Sequence, residues 1–257
     1  MKTQYAASPD GRRIAYDCSG RGAAVVLIHG GGGSRNEWHE VGYVKRLQDT
    51  FTVITIDLLG HGHSDQPTAA SDYAIAKQID QILAVADDCG IDKFSLCGMS
   101  YGGNVGRYLA ARSERVTRFI MMGTKLGPGA PEPTRSEILT FMDHWPPILQ
   151  ALQNGTLKLE SLSEDDRQFH EAFNVPVIMA WGQSMLDWPP LGPKDFHCPV
   201  LWVVGTEDGP VMDNALAYKA ELEDSLVQLH HCEGLDHGQV MDEIDQVFPT
   251  IVEFLGS

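Results

Sequence analysis

The sequence predicts an α/β fold in which a mostly parallel sheet carries helices on both faces. Short apolar runs without polar alternation recur along the 257-residue chain, and such runs are typical of strands that are covered on both sides. Segments with helical periodicity separate these runs. Strands that are joined through helices form parallel sheets by right-handed crossovers, so the alternation predicts this architecture over most of the chain.

Strands and helices alternate from the N-terminus to residue 124. Strands are predicted over Arg12–Asp17, Ala24–Ile28, Thr52–Ile56, Phe94–Cys97 and Val116–Met122, and helices over Glu37–Leu47, Tyr73–Cys89 and Asn104–Ala111. The helix that begins at Tyr73 places Ile75, Ile79 and Ile82 on one stripe, and Gly90 follows it as a C-terminal cap.

The stretch from residue 125 to residue 196 breaks this alternation. It opens with the proline-rich segment Gly127–Pro133, which disfavours regular structure. Predicted helices follow over Ser136–His144, Ile148–Gln153 and Glu164–Asn174, the last of them behind an N-cap at Ser163. We therefore expect a helical insertion at 125–196 within a core domain formed by residues 1–124 and 197–257.

After the insertion the alternation returns. Val200–Val204 and Leu226–Leu229 are predicted strands, and Asn214–Leu222 and Ile244–Leu255 are predicted helices. Each strand brings the polar segment that follows it to the carboxyl edge of the sheet, where catalytic groups of parallel sheets gather.

Composition narrows the range of partners. The formal net charge is −16, which argues against nucleic acid or an anionic membrane, because both require basic patches. We expect no signal peptide, since residues 1–13 hold no long apolar stretch, and no membrane helix, which needs about 18 apolar residues. The 5 cysteines lack C-x-x-C spacing. They are expected to be reduced thiols in a cytoplasmic protein that is a monomer or a homodimer.

The pentapeptide Gly98-Met99-Ser100-Tyr101-Gly102 lies at a predicted turn from strand to helix. A serine between two glycines at such a turn exposes its hydroxyl, because the glycines let the backbone pass through a crowded turn. The pattern G-x-S-x-G also arises by chance. Ser100 is therefore a candidate nucleophile only if the chain also supplies a base, an acid and donors for an oxyanion.

Segments that follow two late strands supply the acid and the base. Asp208 follows the strand Val200–Val204, and His237 follows the next strand along the chain. With Ser100 they give the order Ser, Asp, His, which is one of the known orders of a catalytic triad. Histidine is the usual base because its pKa lies near neutral pH.

Three acids and two histidines compete for these roles: Glu207, Asp213, Asp236, His230 and His231. Asp236 adjoins His237, and neighbouring side chains rarely face each other well enough to orient an imidazole. The other two histidines are expected at the end of a strand, where at least one of them points into the cover of the sheet.

The run His29-Gly30-Gly31-Gly32-Gly33 follows the strand Ala24–Ile28 and can bring backbone N–H groups close to a ligand. We expect the N–H groups of Gly31 and Tyr101 to form an oxyanion hole, the second of them at the positive end of a helix. A flexible loop or a phosphate cradle is the alternative. The Gly-Lys-Ser or Gly-Lys-Thr of a P-loop does not follow the run, which disfavours the phosphate cradle.

Together these motifs resemble the α/β-hydrolase superfamily over essentially the whole chain. The matching elements are His29-Gly30, the segment Asp57 to Ser64, the serine pentapeptide, Asp208 and His237. The chain departs from the usual pattern at two positions. Asp236 stands where many relatives have glycine, and Tyr101 stands where Met, Leu or Gln is common.

The resemblance also implies roles for residues that do not react. Asp57 and the turn Gly60–Ser64 are expected to shape the floor of the site. His61 and His63 are expected to be loop structure rather than metal ligands, and His29 a buried, hydrogen-bonded histidine. The resemblance further implies a helical cap at 125–196 and a reaction that needs neither a metal nor an organic cofactor.

On this resemblance the chain is expected to hydrolyse carboxylic esters with small or medium apolar acyl or aryl groups, through an acyl-enzyme on Ser100. The same triad serves lactonases and C–C bond hydrolases, and the glycine-rich oxyanion segment is similar to that of C–C hydrolases. Epoxide hydrolases would have aspartate at position 100. A ligand receptor that keeps the scaffold is the non-catalytic alternative.

Trp145, Trp181 and Trp188 lie in the insertion and are expected to line an apolar cavity for the substrate. They equally fit the packing of the insertion onto the core. A charged substrate needs a positive anchor, and the cations considered in the insertion do not cluster: Arg135, Lys158, Arg167 and Lys194. No site for a substrate carboxylate is therefore expected.

Overall fold

One sheet lies at the centre of the structure, a computed structural model that describes residues 3–256. The strands in this range are β1 (Gln4–Ala7), β2 (Arg13–Gly20), β3 (Ala23–Ile28), β4 (Phe51–Ile56), β5 (Phe94–Met99), β6 (Val116–Met122), β7 (Val200–Gly205) and β8 (Val227–Cys232). They are hydrogen-bonded in the order β1-β2-β4-β3-β5-β6-β7-β8. β2 is antiparallel to both of its neighbours, and the remaining pairs are parallel. The mostly parallel sheet predicted from the sequence is thus confirmed.

Helices cover both faces of this sheet. Those in the described range are α1 (Glu37–Glu40), α2 (Tyr43–Leu47), α3 (Ile75–Asp88), α4 (Tyr101–Arg112), α5 (Thr134–Gln153), α6 (Glu164–Ala172), α7 (Val175–Met185), α8 (Gly209–Ala217), α9 (Lys219–Leu222), α10 (Gln239–Asp242) and α11 (Ile244–Gly256). Val26 and Ile28 of β3 belong to the core that contains α3 and α4, whereas Val25 and Leu27 belong to the core that contains α2 and α11. Alternate side chains of one strand are therefore buried on opposite faces, which explains its uninterrupted apolar sequence.

Two predicted helices are divided in the structure. Gly42 has a φ of 102°, outside the helical range, so the helix predicted over Glu37–Leu47 forms as α1 and α2. The helix predicted over Asn214–Leu222 begins earlier, at Gly209, and is interrupted at Tyr218. The short strand β1 was not predicted.

The helices between residues 134 and 185 differ most from prediction. Two helices were expected around Pro146 and Pro147, but α5 is continuous and contains both prolines. The prolines remove two backbone donors. The helix persists because Trp145 is buried and its ring packs against Phe141 and Phe169, which joins α5 to α6. The N-cap of α6 is confirmed, since Ser163 Oγ accepts a hydrogen bond from the Asp166 N–H at 3.1 Å.

Helix α7 was also absent from the predicted elements. Its sequence, VPVIMAWGQSM, is apolar over most of its length, so no clear polar face indicates a helix. Its proline stands in the first turn, where the missing N–H would have no intrahelical partner.

The stretch 125–196 leaves the sheet after β6 and returns to it before β7. Its two ends are joined: the Gly127 N–H donates to the Leu191 carbonyl at 2.8 Å, and the Leu191 N–H donates to the Gly127 carbonyl at 2.9 Å. The buried Arg107 of α4 holds the first end from below, with hydrogen bonds of 2.7 Å to the Gly127 carbonyl and 2.6 Å to the Pro128 carbonyl. Within residues 3–256, no helix combines the length and the apolar character needed to cross a membrane.

The start of α4 packs directly on the end of β3. A Cβ atom at Gly102 would lie 2.4 Å from the His29 carbonyl oxygen and 2.5 Å from that of Ile28. These distances are shorter than any allowed contact, so position 102 has room for glycine alone. The contact fixes how closely the turn after β5 approaches the loop after β3.

We predict that Gly102→Ala destabilises the fold, because the new methyl group overlaps two backbone carbonyls that cannot move without shifting β3. Overpacking of this kind costs about 1–3 kcal/mol, which corresponds to a fall in Tm of roughly 5 °C for a chain of this size. The measurement is thermal unfolding followed by circular dichroism.

Gly182→Ala is the matched control. A Cβ at Gly182 would lie 3.6 Å from Ile138 Cγ2, an ordinary contact, and alanine favours the helical conformation of α7 by about 1 kcal/mol. Its Tm should stay level or rise. A Tm for Gly102→Ala equal to that of Gly182→Ala would contradict the packing argument.

Candidate active site

Ser100 occupies the turn between β5 and α4, as the sequence predicts. Its φ of 49° makes it the sole non-glycine residue with a positive φ among residues 3–256. Such strain persists only where surrounding contacts enforce it. The Ser100 N–H donates to the Met122 carbonyl at 2.9 Å, and the Ser100 carbonyl accepts from Thr124 Oγ1 at 2.9 Å and from the Asn104 N–H at 2.8 Å. These bonds hold the serine side chain away from the helix and toward the open edge of the sheet.

His237 and Asp208 meet Ser100 at this edge. The His237 Nε2 atom lies 3.0 Å from Ser100 Oγ, and its Nδ1 atom lies 2.6 Å from Asp208 Oδ2. Both distances are those of hydrogen bonds. A carboxylate can only accept, so Nδ1 carries the proton and Nε2 is free to accept the serine proton. The side chain of Asp208 is buried, whereas that of His237 is half-exposed.

The competing acids and histidines have other positions. Asp236 Oδ1 accepts a hydrogen bond from the Gln239 N–H at 2.9 Å and so caps the start of α10. Glu207 is exposed beside Asp208, and Asp213 is exposed on α8. His230 and His231 both lie within β8.

The glycine run after β3 lies against the serine turn. A Cβ built at Gly30 would lie 3.7 Å from Ser100 Cβ, and one built at Gly31 would lie 3.5 Å from Tyr101 Cβ. Tyr101 is the first residue of α4, so its N–H has no partner within the helix and stands at the positive end of the helix dipole. The structure therefore brings Gly31 and Tyr101, the two expected donors, into contact with each other next to Ser100.

His29 holds this loop in place. It is fully buried; its Nδ1 donates to the Gly30 carbonyl at 2.7 Å, and its Nε2 accepts from the Leu58 N–H at 3.1 Å. One donated and one accepted bond describe a neutral imidazole. Burial lowers the pKa of His29 to about 3, and the neighbouring His61 adds to this effect. His29 thus joins the loops after β3 and β4, in agreement with the buried, hydrogen-bonded role expected for it.

A buried arginine that the sequence analysis did not single out joins the same two loops. Arg35 forms an ion pair with Asp57, its backbone N–H donates to Asp57 Oδ1 at 2.7 Å, and its Nε donates to Asp17 Oδ2 at 2.9 Å. Asp57 also accepts from the His63 N–H at 2.8 Å. Asp57 and its turn therefore shape the loop structure beside the site. The available signal was an arginine two residues after the glycine run, in a chain in which Asp57 directly follows the buried strand β4.

His61 packs against the site without facing His63. It is buried, its Nδ1 donates to the Leu59 carbonyl at 3.1 Å, and its ring lies beside those of Tyr101 and Trp181. Burial lowers its pKa. Its burial and its ring contacts show that His61 is a packing residue of the loop after β4.

A cavity of about 790 Å³ opens beside Ser100 and His237. Trp181 and Met185 of α7 form part of its wall, and Trp181 Cη2 lies 3.5 Å from the Cβ position of Gly31. A smaller cavity of about 330 Å³, lined in part by Gly30 and Met241, also reaches Ser100 and His237. Ser100 therefore lines both cavities.

Trp181 is the one of the three predicted tryptophans that lines the larger cavity. Trp145 is buried between α5 and α6, against Phe169. Trp188 is buried against Tyr108 of α4, and its Nε1 donates to Ser184 Oγ at 3.1 Å. For these two, the alternative interpretation holds, because they pack the 125–196 stretch together and onto the core. The cavity also contains Lys125, a cation that the sequence analysis overlooked.

Comparison with known families identifies the fold family. A family model described as alpha/beta hydrolase fold matches residues 23–170, more than half of the chain. The chain belongs to the α/β-hydrolase fold family. The resemblance noted from the motifs is thereby confirmed.

Individual members of the α/β-hydrolase fold family show more limited similarity. An uncharacterized protein of Mycobacterium bovis is 36% identical over 113 residues, 44% of this chain and 32% of that protein. A 2-hydroxymuconate semialdehyde hydrolase of Pseudomonas putida is 34% identical over 115 residues, 44% of this chain and 41% of that enzyme. The matched stretch thus spans about a third to two fifths of the curated relatives.

A solved carboxylesterase structure from the thaumarchaeon Nitrososphaera gargenis superposes over 98% of both chains with a TM-score of 0.77. Its sequence identity is 20%, so this likeness concerns the fold.

We predict that His29 makes this α/β-hydrolase fold less stable as the pH falls below about 6.5. The unfolded chain binds a proton on histidine near that pH, whereas folded His29 binds one only near its pKa of about 3. Between these values the unfolded state holds one more proton at residue 29 than the folded state. As the pH falls, His29 alone therefore lowers the free energy of unfolding by up to about 1.4 kcal/mol per pH unit.

The variant His29→Gln keeps one donor and one acceptor but does not titrate. Urea unfolding between pH 7 and pH 5 should therefore show a shallower loss of stability than in the wild type. The exposed His231→Gln is the control and should follow the wild-type slope. Equal slopes for the wild type and His29→Gln would refute the neutral, buried state.

Proposed function

We propose that this chain is a serine hydrolase that cleaves carboxylic esters through an acyl-enzyme intermediate. The observation that supports this function is the continuous chain of hydrogen bonds from Ser100 Oγ to His237, at 3.0 Å, and from His237 to the buried Asp208, at 2.6 Å. A serine hydroxyl is a poor nucleophile until such a base accepts its proton.

The reaction would follow from the roles of these atoms. As Ser100 Oγ attacks the ester carbonyl carbon, its proton passes to His237 Nε2, and Asp208 stabilises the imidazolium that forms. The carbonyl oxygen becomes an oxyanion, which the N–H groups of Gly31 and Tyr101 are proposed to bind. His237 then returns the proton to the leaving alkoxide, and the acyl group remains on Ser100.

Deacylation repeats these steps with water. His237 accepts a proton from a water molecule as its oxygen attacks the acyl carbon, and then protonates Ser100 Oγ as the bond to the acyl group breaks. The products are a carboxylic acid and the regenerated serine. The half-exposed His237 is accessible to water from the cavity.

We propose that the stretch 125–196 acts as a cap over this site and selects the acyl group. Support comes from its position: Trp181 and Met185 of α7 and Thr134 of α5 line the same cavity as Ser100. A volume of about 790 Å³ suits an acyl or aryl group of small to medium size.

A C–C bond hydrolase acting through the same residues is the second candidate function. Its support is the 34% identity to a protein named 2-hydroxymuconate semialdehyde hydrolase, which covers 44% of this chain. The two activities need the same nucleophile and base. They differ in the bond that is cleaved, which is C–O in an ester and C–C in a dienoate. Parallel assays with 4-nitrophenyl esters and with ring-cleavage dienoates distinguish them, and turnover of the dienoates alone would make ester hydrolysis the wrong assignment.

We predict that a fluorophosphonate probe labels the wild-type chain, because its phosphorus mimics the carbonyl carbon that Ser100 attacks. Ser100→Ala should lose all labelling, as measured by intact-mass spectrometry. A folded wild type that stays unlabelled would refute the serine mechanism.

Asp208→Asn should lower kcat for 4-nitrophenyl esters by about 10⁴-fold, because the amide favours the wrong tautomer of His237. Glu207→Gln is the control for the neighbouring acid and should stay within about threefold of the wild type, because Glu207 makes no hydrogen bond to His237 in the described structure. If the two variants lost activity equally, the assignment of Asp208 as the acid would be wrong.

A further inference from the structure

Lys125 lies beside the serine turn, on the wall of the larger cavity. It follows β6 and the neighbouring Thr124, whose hydroxyl donates to the Ser100 carbonyl at 2.9 Å. A Cβ at Gly123 would lie 3.2 Å from His237 Cε1. The segment from Gly123 to Lys125 therefore contacts the backbone of Ser100 and the side chain of His237.

The ammonium group of Lys125 has unused hydrogen-bonding capacity. The side chain is half-buried, and Nζ donates to Thr134 Oγ1 at 2.7 Å and, at the longer distance of 3.4 Å, to the Glu132 carbonyl. Both acceptors are uncharged. Among the described residues, no carboxylate forms an ion pair with Nζ. An ammonium group has three N–H donors, so at least one remains for a ligand in the cavity.

Lys125 is also the single Lys or Arg among the described residues that line this cavity. Four acids lie on the same wall. Glu137, Glu207 and Asp236 are exposed to water, which screens their charges, whereas Asp208 is buried and hydrogen-bonded to His237. Lys125 is partly withdrawn from water, so its field within the cavity is screened less. Burial lowers its pKa, while the carboxylates of Glu137, Asp208 and Glu132 favour its charged form.

The beginning of α5 adds to this positive field. Thr134, the first residue of this 20-residue helix, lines the cavity and holds Nζ in place. The positive end of the helix dipole and the Lys125 ammonium therefore face the same space. The nearby carboxylates of the described residues form no direct ion pair with Nζ, and a bound carboxylate would supply one.

We propose that Lys125 binds a carboxylate group of the substrate, so that the preferred ester carries a free carboxylate on its acyl part. This inference rests on the proposed serine hydrolase, because it places the second carboxylate in the cavity that receives the acyl group. It makes Lys125 a specificity-determining residue and differs from the sequence-based expectation that the chain has no carboxylate site.

The test compares two substrates of equal length and identical leaving group: 4-nitrophenyl hexanoate and the mono-4-nitrophenyl ester of hexanedioic acid. The ratio of their kcat/KM values, charged over neutral, is the measured quantity. Lys125→Met should lower this ratio by about tenfold to a hundredfold, the usual contribution of a charge-assisted hydrogen bond. Lys125→Arg should keep the ratio within about threefold of the wild type, because the charge is retained.

Lys194→Met is the matched control. Lys194 is exposed and lies in the same 125–196 stretch, outside the residues that line the cavity, so its removal should leave the ratio unchanged. An equal fall for both substrates in Lys125→Met would show a structural role only and would overturn the proposal. A ratio unaffected by Lys125→Met would also overturn it.

A binding experiment separates this inference from the proposed function. Calorimetry on Ser100→Ala measures monomethyl hexanedioate against dimethyl hexanedioate, neither of which needs to be cleaved. Tighter binding of the monoanion, lost in Ser100→Ala with Lys125→Met, supports the carboxylate site even if no ester is hydrolysed. Equal binding of the two esters to Ser100→Ala would overturn the site, whatever the result of fluorophosphonate labelling.

Discussion

The close contact between the start of α4 and the end of β3 is the constraint on which the candidate site depends. Gly102 lies so near to the carbonyls of Ile28 and His29 that a single methyl group would overlap both. This proximity brings the loop after β3 against the serine turn and leaves Ser100 at its φ of 49°. A nucleophile and two backbone donors can share one ligand only when their loops are this close.

Buried polar groups then fix the loops that this contact brings together. His29 joins the loops after β3 and β4 as a neutral hydrogen-bonding residue, and Arg35 joins them through its ion pair with Asp57. Loops at the edge of a sheet are otherwise its most mobile parts. The glycine run has little side-chain packing of its own. Its loop is held by the buried hydrogen bonds of His29 and the buried ion pair of Arg35 with Asp57.

The sequence predicted those parts of the site that depend on the order of strands. Ser100, Asp208 and His237 each follow a strand of a parallel sheet, so their meeting at one edge follows from topology. The same rule, applied to β6, would have identified Lys125. Lys125 lies at the very start of the 125–196 stretch, where Gly123 and Thr124 separate it from the end of β6 at Met122.

Which tryptophan faces the cavity was not predictable in the same way. Trp145 lies on α5, Trp181 on α7 and Trp188 in the bend after α7. The side that each presents depends on how these segments pack together. The sequence also suggested a break at Pro146 that the structure does not contain, because the contact of Trp145 with Phe169 outweighs the local preference of proline. Periodicity describes single elements, whereas these features are decided by contacts between elements.

The paired hydrogen bonds between Gly127 and Leu191 have an evolutionary consequence. They hold the two ends of the 125–196 stretch together. The separation between these ends therefore does not depend on the number of residues between them. A lineage can therefore lengthen, shorten or exchange this stretch while β6 and β7 keep their register, since longer loops add little closure entropy. Changes in the lining of the cavity beside Ser100 can accumulate there while Ser100, Asp208 and His237 stay unchanged.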